Sequence, residues 1–116
     1  MIEKIERVSM LFDFYGKLLT GKQREILSLH YEQDFSLGEI AEEYTVSRQA
    51  VHDILKRSEN ILEGFEAKLG LVKKFTAERE KLNLVFNLLC EVKGNHQQVE
   101  KIKKVIDEIV EIQNTD

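Results

Sequence analysis

Ser36-Leu37-Gly38-Glu39-Ile40-Ala41-Glu42-Glu43-Tyr44-Thr45-Val46-Ser47-Arg48-Gln49-Ala50-Val51-His52-Asp53-Ile54-Leu55 is the stretch whose reading decides the fold. Ser36, with Glu39 three residues on, has the form of a capping box: the hydroxyl accepts from a backbone N–H that the helix leaves unpaired, and the glutamate reaches back to the cap. A short helix over 37–44 follows. Thr45-Val46 leaves room only for a tight connection before Ser47, the next cap, with Val46 placed to staple onto Val51. Leu37, Ile40 and Ala41 then oppose Val46, Val51, Ile54 and Leu55 across a corner, and Ala41 is small enough for close approach. Two helices braced in this way form a helix-turn-helix, which projects the first turns of its second helix into a major groove.

Upstream, Thr20-Gly21-Lys22-Gln23 is a second capping box and predicts a helix from about Thr20 to Tyr31, with Ile26 and Leu27 inward. Phe35 precedes the Ser36 cap and is placed to staple onto Ile40. Before the Thr20 box, Ile5, Val8, Phe12, Tyr15 and Leu19 step by threes and fours, one apolar face of a helix over 2–19. Downstream, Val51, Leu55, Ser58, Leu62, Phe65, Leu69 and Val72 form a heptad-like seam along a long fourth helix, with a stop expected near Gly70. Thr76 is read as the cap of a fifth helix carrying Leu82, Val85, Leu89 and Val92 inward and stopped by Gly94. Asn95 is read as the cap of a sixth, striped by Val99, Ile102, Ile106, Ile109 and Gln113. The expected fold is all-α: a helix-turn-helix domain of four helices over 1–69, then a hairpin of two amphipathic helices over 70–116 that braces it or dimerises.

Composition agrees. Proline is absent and only six glycines are scattered through 116 residues, so few positions force a helix to end. One cysteine, Cys90, cannot make an internal disulfide; beside the fifth-helix stripe it is expected to be a buried thiol in a reducing, cytoplasmic setting. Glu3, Lys4, Glu6, Arg7 and Asp13 interrupt the first segment, which rules out the apolar run of a signal peptide, and no stretch is long and apolar enough for a membrane span. No phosphate loop, nucleophile elbow or metalloprotease motif appears, and His30, His52 and His96 lack ligand spacing, so neither catalysis, a cofactor nor a metal is expected. Ser47, His52 and Asp53 do not make a hydrolytic triad: Ser47 is needed as a cap, and neighbours along one helix leave no oxyanion site.

The stretches Leu19-Thr20-Gly21-Lys22-Gln23-Arg24-Glu25-Ile26-Leu27, Phe35-Ser36-Leu37-Gly38-Glu39-Ile40-Ala41-Glu42-Glu43 and Val46-Ser47-Arg48-Gln49-Ala50-Val51 resemble, in that order, region 4 of bacterial sigma factors, which reads promoter DNA. With its two appended helices, the whole chain resembles the YlxM family, small proteins typically encoded beside the signal recognition particle GTPase. The resemblance implies a DNA-binding protein with a regulatory link to signal recognition particle genes or to the particle itself. On the sigma pattern, Ser47 matches the cap of the recognition helix and Arg48, Gln49, His52 and Lys56 match positions on it. Where that pattern usually has glycine in the turn, this chain has Thr45, a β-branched residue for which positive φ is costly; either the turn differs or the strain is tolerated.

Periodicity places Arg48, Gln49, His52, Asp53 and Lys56 on the outward flank of the fourth helix. Arginine can fork onto guanine and glutamine onto adenine. The nucleic-acid site expected is therefore Ser47, Arg48, Gln49, His52 and Lys56, and its partner is double-stranded DNA. Charge qualifies this, because phosphate attraction supplies much of the affinity of such complexes. From Thr20 to Leu62 five bases stand against eight acids, whereas from Lys68 to Lys104 nine bases stand against four acids. One copy is expected to bind weakly and a homodimer better. A rival reading takes the basic C-terminal half as the binding element, with the signal recognition particle RNA or its GTPase as partner.

Overall fold

Six α-helices and one 3-10 turn account for most of residues 2–114, the part of the chain that the computed structural model describes; no strand occurs among them. The helices are α1 (Ile2–Tyr15), closed by the 3-10 turn Gly16–Leu18, then α2 (Gly21–Tyr31), α3 (Leu37–Tyr44), α4 (Arg48–Leu69), α5 (Leu71–Cys90) and α6 (His96–Asn114). The all-α class and the helix-turn-helix are as the sequence predicts. Two compact units divide the chain after Val72. Met1, Thr115 and Asp116, at the ends of the two expected domains, lie outside the described residues.

In the first unit α4 is the central strut, with α1, α2 and α3 packed against it. Val8, Leu11, Tyr15 and Leu19 meet Ile26, Leu27, Ile40, Ala41, Val51, Leu55 and Leu62 in one core. Full burial of an aliphatic side chain contributes roughly 1.5–3 kcal/mol, so this cluster is the main source of the unit's cohesion. The boxes at Thr20 and Ser36 form in full: Gln23 and Glu39 each reach back to the cap N–H while donating their own N–H to its hydroxyl. Leu11 is buried in the core, whereas Ile5, expected inward, is 49% exposed. At that end of α1 the contact with α4 is ionic instead, Lys4 pairing with Glu59 and Arg7 clasping Glu63 with two nitrogens.

The seam of α4 turns at its end. Val51, Leu55, Ser58 and Leu62 are buried as expected, Ser58 donating to the Ile54 carbonyl at 2.7 Å, but Leu69 is exposed and Glu66 is buried in its stead. Tyr15 Oη donates to Glu66 Oε1 at 2.6 Å, which draws the carboxylate inward. Gly70 then ends the helix at φ 62°, a left-handed conformation that glycine adopts without a Cβ clash. α5 begins at once at Leu71, not at Thr76, which lies inside the helix. The reason is remote capping: Leu71 N–H donates to Tyr15 Oη and Val72 N–H to Glu66 Oε1, so two orphan donors of α5 are satisfied without a local cap.

The second unit is an antiparallel pair. Arg79, early in α5, donates to Gln113 and Asn114 at the end of α6, and Lys103 sits over the Phe86 ring at 5.6 Å. α5 ends at Cys90, a few residues before Gly94, and Asn95 caps α6 as expected, accepting from Gln98 N–H. The facing stripes are Phe75, Arg79, Leu82, Phe86 and Leu89 against Val99, Lys103, Ile106, Val110 and Gln113. Val85, Val92, Ile102 and Ile109, expected inward, are exposed. Each helix carries two adjacent apolar stripes, and the one holding the large Phe75 and Phe86 rings occupies the contact. Cys90 is exposed, correcting the expectation of a buried thiol.

Candidate nucleic-acid interface

The corner between α3 and α4 is built from backbone hydrogen bonds at a single strained residue. Thr45 adopts φ 55° and ψ 48°, and its N–H donates to the carbonyls of Ala41 and Glu42, while Val46 N–H donates to Ala41. The turn is thus left-handed, held by threonine at a cost of roughly 1–2 kcal/mol. Ser47 then returns to extended backbone and its Oγ accepts from Ala50 N–H at 3.0 Å, capping α4. Local satisfaction at both ends of the turn, with Ile40, Ala41, Val51 and Leu55 buried behind it, sets the direction in which α4 leaves.

All five residues expected at the site, Ser47, Arg48, Gln49, His52 and Lys56, are exposed. At about 100° per residue, Arg48, Gln49, His52 and Lys56 share one lateral flank of the first turns of α4, beside the buried line of Val51 and Leu55. Arg48 leans back over α3: its Nε lies 3.7 Å from where a Cβ on Gly38 would stand. An open hollow beside it is lined by Gly38, Glu42, Thr45, Ser47 and Arg48. Gln49 Nε2 donates to Asp53 Oδ1 at 3.0 Å, and His52 Nδ1 stands 3.7 Å from the same oxygen. Asp53 therefore belongs to this flank chemically, although the sequence reading left it out of the site. The four-residue spacing from Gln49 was the available signal.

Acids border the flank. Glu42 and Glu43 are exposed on α3, and Glu39 is held below the usual carboxylate range by the Ser36 N–H and hydroxyl. No group of three potential metal ligands occurs among the described residues, and no helix there is long and apolar enough to cross a membrane.

The family model described as "Putative helix-turn-helix protein, YlxM / p13 like" matches residues 2–109. The chain belongs to the YlxM family of helix-turn-helix proteins. It is 51% identical over 106 residues to UPF0122 protein YlxM of Bacillus subtilis, covering 91% of this chain and 93% of that protein. Identity to a UPF0122 protein of Bacillus velezensis is also 51%, with the same coverage. A UPF0122 protein of Desulforamulus reducens is 45% identical over 112 residues, 95% of this chain and 96% of its own length. The match to the family runs through α1–α5 and most of α6, so the hairpin is a family feature as much as the corner is.

Proposed function

We propose that this protein is a sequence-selective, double-stranded DNA-binding regulator that acts as a homodimer, with the first turns of α4 in the major groove in the manner of sigma region 4. One observation carries the reading: behind a fixed corner, the flank of α4 beside its buried line presents Arg48, Gln49, His52 and Lys56, all exposed, beneath the cap of Ser47. These donors and acceptors match base edges, and the Ser47 end of the helix is the end such motifs insert.

The dimer is supported by the second unit. Leu84, Val85 and Leu88 on α5, Val92 just after its end, and Ile102, Val105, Ile109 and Ile112 on α6 are each 39–73% exposed. Both sets lie about 100° to the same side of the facing stripe, and in an antiparallel pair that brings them onto one face. A contiguous exposed apolar face of this kind marks an interaction surface, in line with a protein–protein contact. Within the pair only Ile106 is buried, so a matching face from a second copy supplies what the hairpin lacks. Pairing also doubles the phosphate contacts of a corner region with three more acids than bases.

The family resemblance points to genes of the signal recognition particle pathway as targets. Selection of bound duplexes from a random pool by the full chain tests the reading: an enriched motif, with two half-sites, is expected, and an unenriched pool rejects it. The basic excess from Lys68 to Lys104 favours a second reading, an RNA- or protein-binding modulator of the signal recognition particle. Competition between mixed genomic duplex and the particle's RNA, titrated across salt, separates the two.

A further inference from the structure

We infer that Asp53 is a positioning residue for specificity, one that locks the Gln49 amide so that it reads adenine and rejects guanine; the inference rests on the DNA reading above. An acid on a groove-facing flank needs a reason, because a carboxylate repels phosphates and lowers affinity for every duplex alike. Asp53 is 58% exposed in its side chain, lies one helical turn beyond Gln49, and its Oδ1 accepts a hydrogen bond from Gln49 Nε2–H at 3.0 Å. A carboxylate only accepts, so the amide nitrogen must face Asp53 and Oε1 must face away.

The consequence follows from the base edges. Adenine offers an acceptor at N7 and a donor at N6, guanine two acceptors at N7 and O6. Glutamine makes two bonds to adenine with one N–H and its oxygen, whereas two bonds to guanine, which offers only acceptors, need both N–H groups. With one N–H held by Asp53, a single N–H and the oxygen remain, which is the adenine set. His52 Nδ1 lies 3.7 Å from the same Asp53 oxygen. Charge repulsion at Asp53 weakens binding to all sequences, and the amide lock restores binding only where adenine stands opposite Gln49. Together they raise the ratio of specific to non-specific affinity, the quantity that matters in a genome.

The experiment is duplex selection and competition binding with the full-length protein and with Gln49→Ala, Asp53→Ala, Asp53→Asn and Gln49→Ala/Asp53→Ala, each verified by far-UV circular dichroism. The native protein is expected to prefer adenine over guanine at one position of each half-site, and Gln49→Ala to abolish that preference. Asp53→Ala is expected to lower the adenine-to-guanine ratio about fivefold while tightening binding to scrambled duplex about twofold or more. Asp53→Asn, whose amide oxygen still accepts from Gln49, is expected to keep the ratio while sharing the gain on scrambled duplex. The double variant is expected to match Gln49→Ala in selectivity. An unchanged ratio in Asp53→Ala, a further loss of selectivity on adding Asp53→Ala to Gln49→Ala, or a motif indifferent to Gln49 overturns the inference and leaves DNA reading intact. A pool with no enriched motif overturns both.

Discussion

Tyr15 and Glu66, 51 residues apart in the chain, meet at 2.6 Å between α1 and the end of α4, and the same two side chains receive the first N–H groups of α5. The tyrosine hydroxyl is spent twice, donating to the carboxylate and accepting from Leu71, so three helices close on one oxygen pair. Tyr15→Phe deletes the hydroxyl, leaves the Leu71 N–H unpaired and removes one donor from a buried carboxylate. The expected loss is about 1–3 kcal/mol, read as a lower urea midpoint at unchanged slope.

Thr45→Gly is expected to stabilise the protein. Removing the Cβ relieves a left-handed threonine, and the greater freedom of glycine in the unfolded chain offsets part of that gain. A net gain of about 0.5–1 kcal/mol and a rise in Tm of a few degrees are expected in calorimetry, with the backbone bonds of the Thr45 N–H kept.

Arg48→Ala combined with Gln49→Ala removes two exposed side chains that carry no core packing. Specific duplex binding is expected to vanish in footprinting while far-UV circular dichroism stays unchanged; a retained footprint would reject α4 as the reading helix.

Leu88→Lys combined with Ile109→Lys places two like charges on the apolar face of the hairpin. Both native side chains are already exposed, at 54% and 39%, so each subunit keeps its own packing. Sedimentation is expected to change from dimer to monomer, and affinity for the selected duplex to fall more than tenfold as half the contacts are lost.

All three tyrosines, Tyr15, Tyr31 and Tyr44, are pushed above the ordinary value of 10.0, burial being the main cause; a carboxylate hydrogen bond adds to it at Tyr15 (Glu66) and Tyr31 (Glu59), and Tyr44 reaches about 12. A raised folded pKa means that the unfolded chain loses protons first. Stability is therefore intact below pH 10 and falls as pH rises from there through the folded values. Tyrosinate absorbance is expected to stay flat until the helical signal collapses and then to rise with it in one transition; early ionisation of all three in the folded protein would contradict the burial described.

What a sequence can show depends on how far apart the partners are. The caps at Thr20, Ser36, Ser47 and Asn95 each involve a residue three positions away, and all four are readable by eye. The start of α5 is not, because its caps come from Tyr15 and Glu66, the former 56 residues distant from Leu71. Thr76, a plausible cap on local grounds, was the nearest available signal and the wrong one. In α5 and α6 two apolar stripes of equal period lie side by side, and periodicity cannot rank them; ring size at Phe75 and Phe86 does. The outward placement of Arg48, Gln49, His52 and Lys56 followed from Val51 and Leu55 turning inward, whereas the lean of Arg48 over Gly38 needed atoms.

Cys90 lies exposed at the last residue of α5, and no second thiol exists in the chain. A maleimide spin label or fluorophore can therefore be attached at one defined point without first engineering other sulfurs away. The distance between two such probes, followed as duplex is added, would report directly on how the subunits of an assembled complex are arranged.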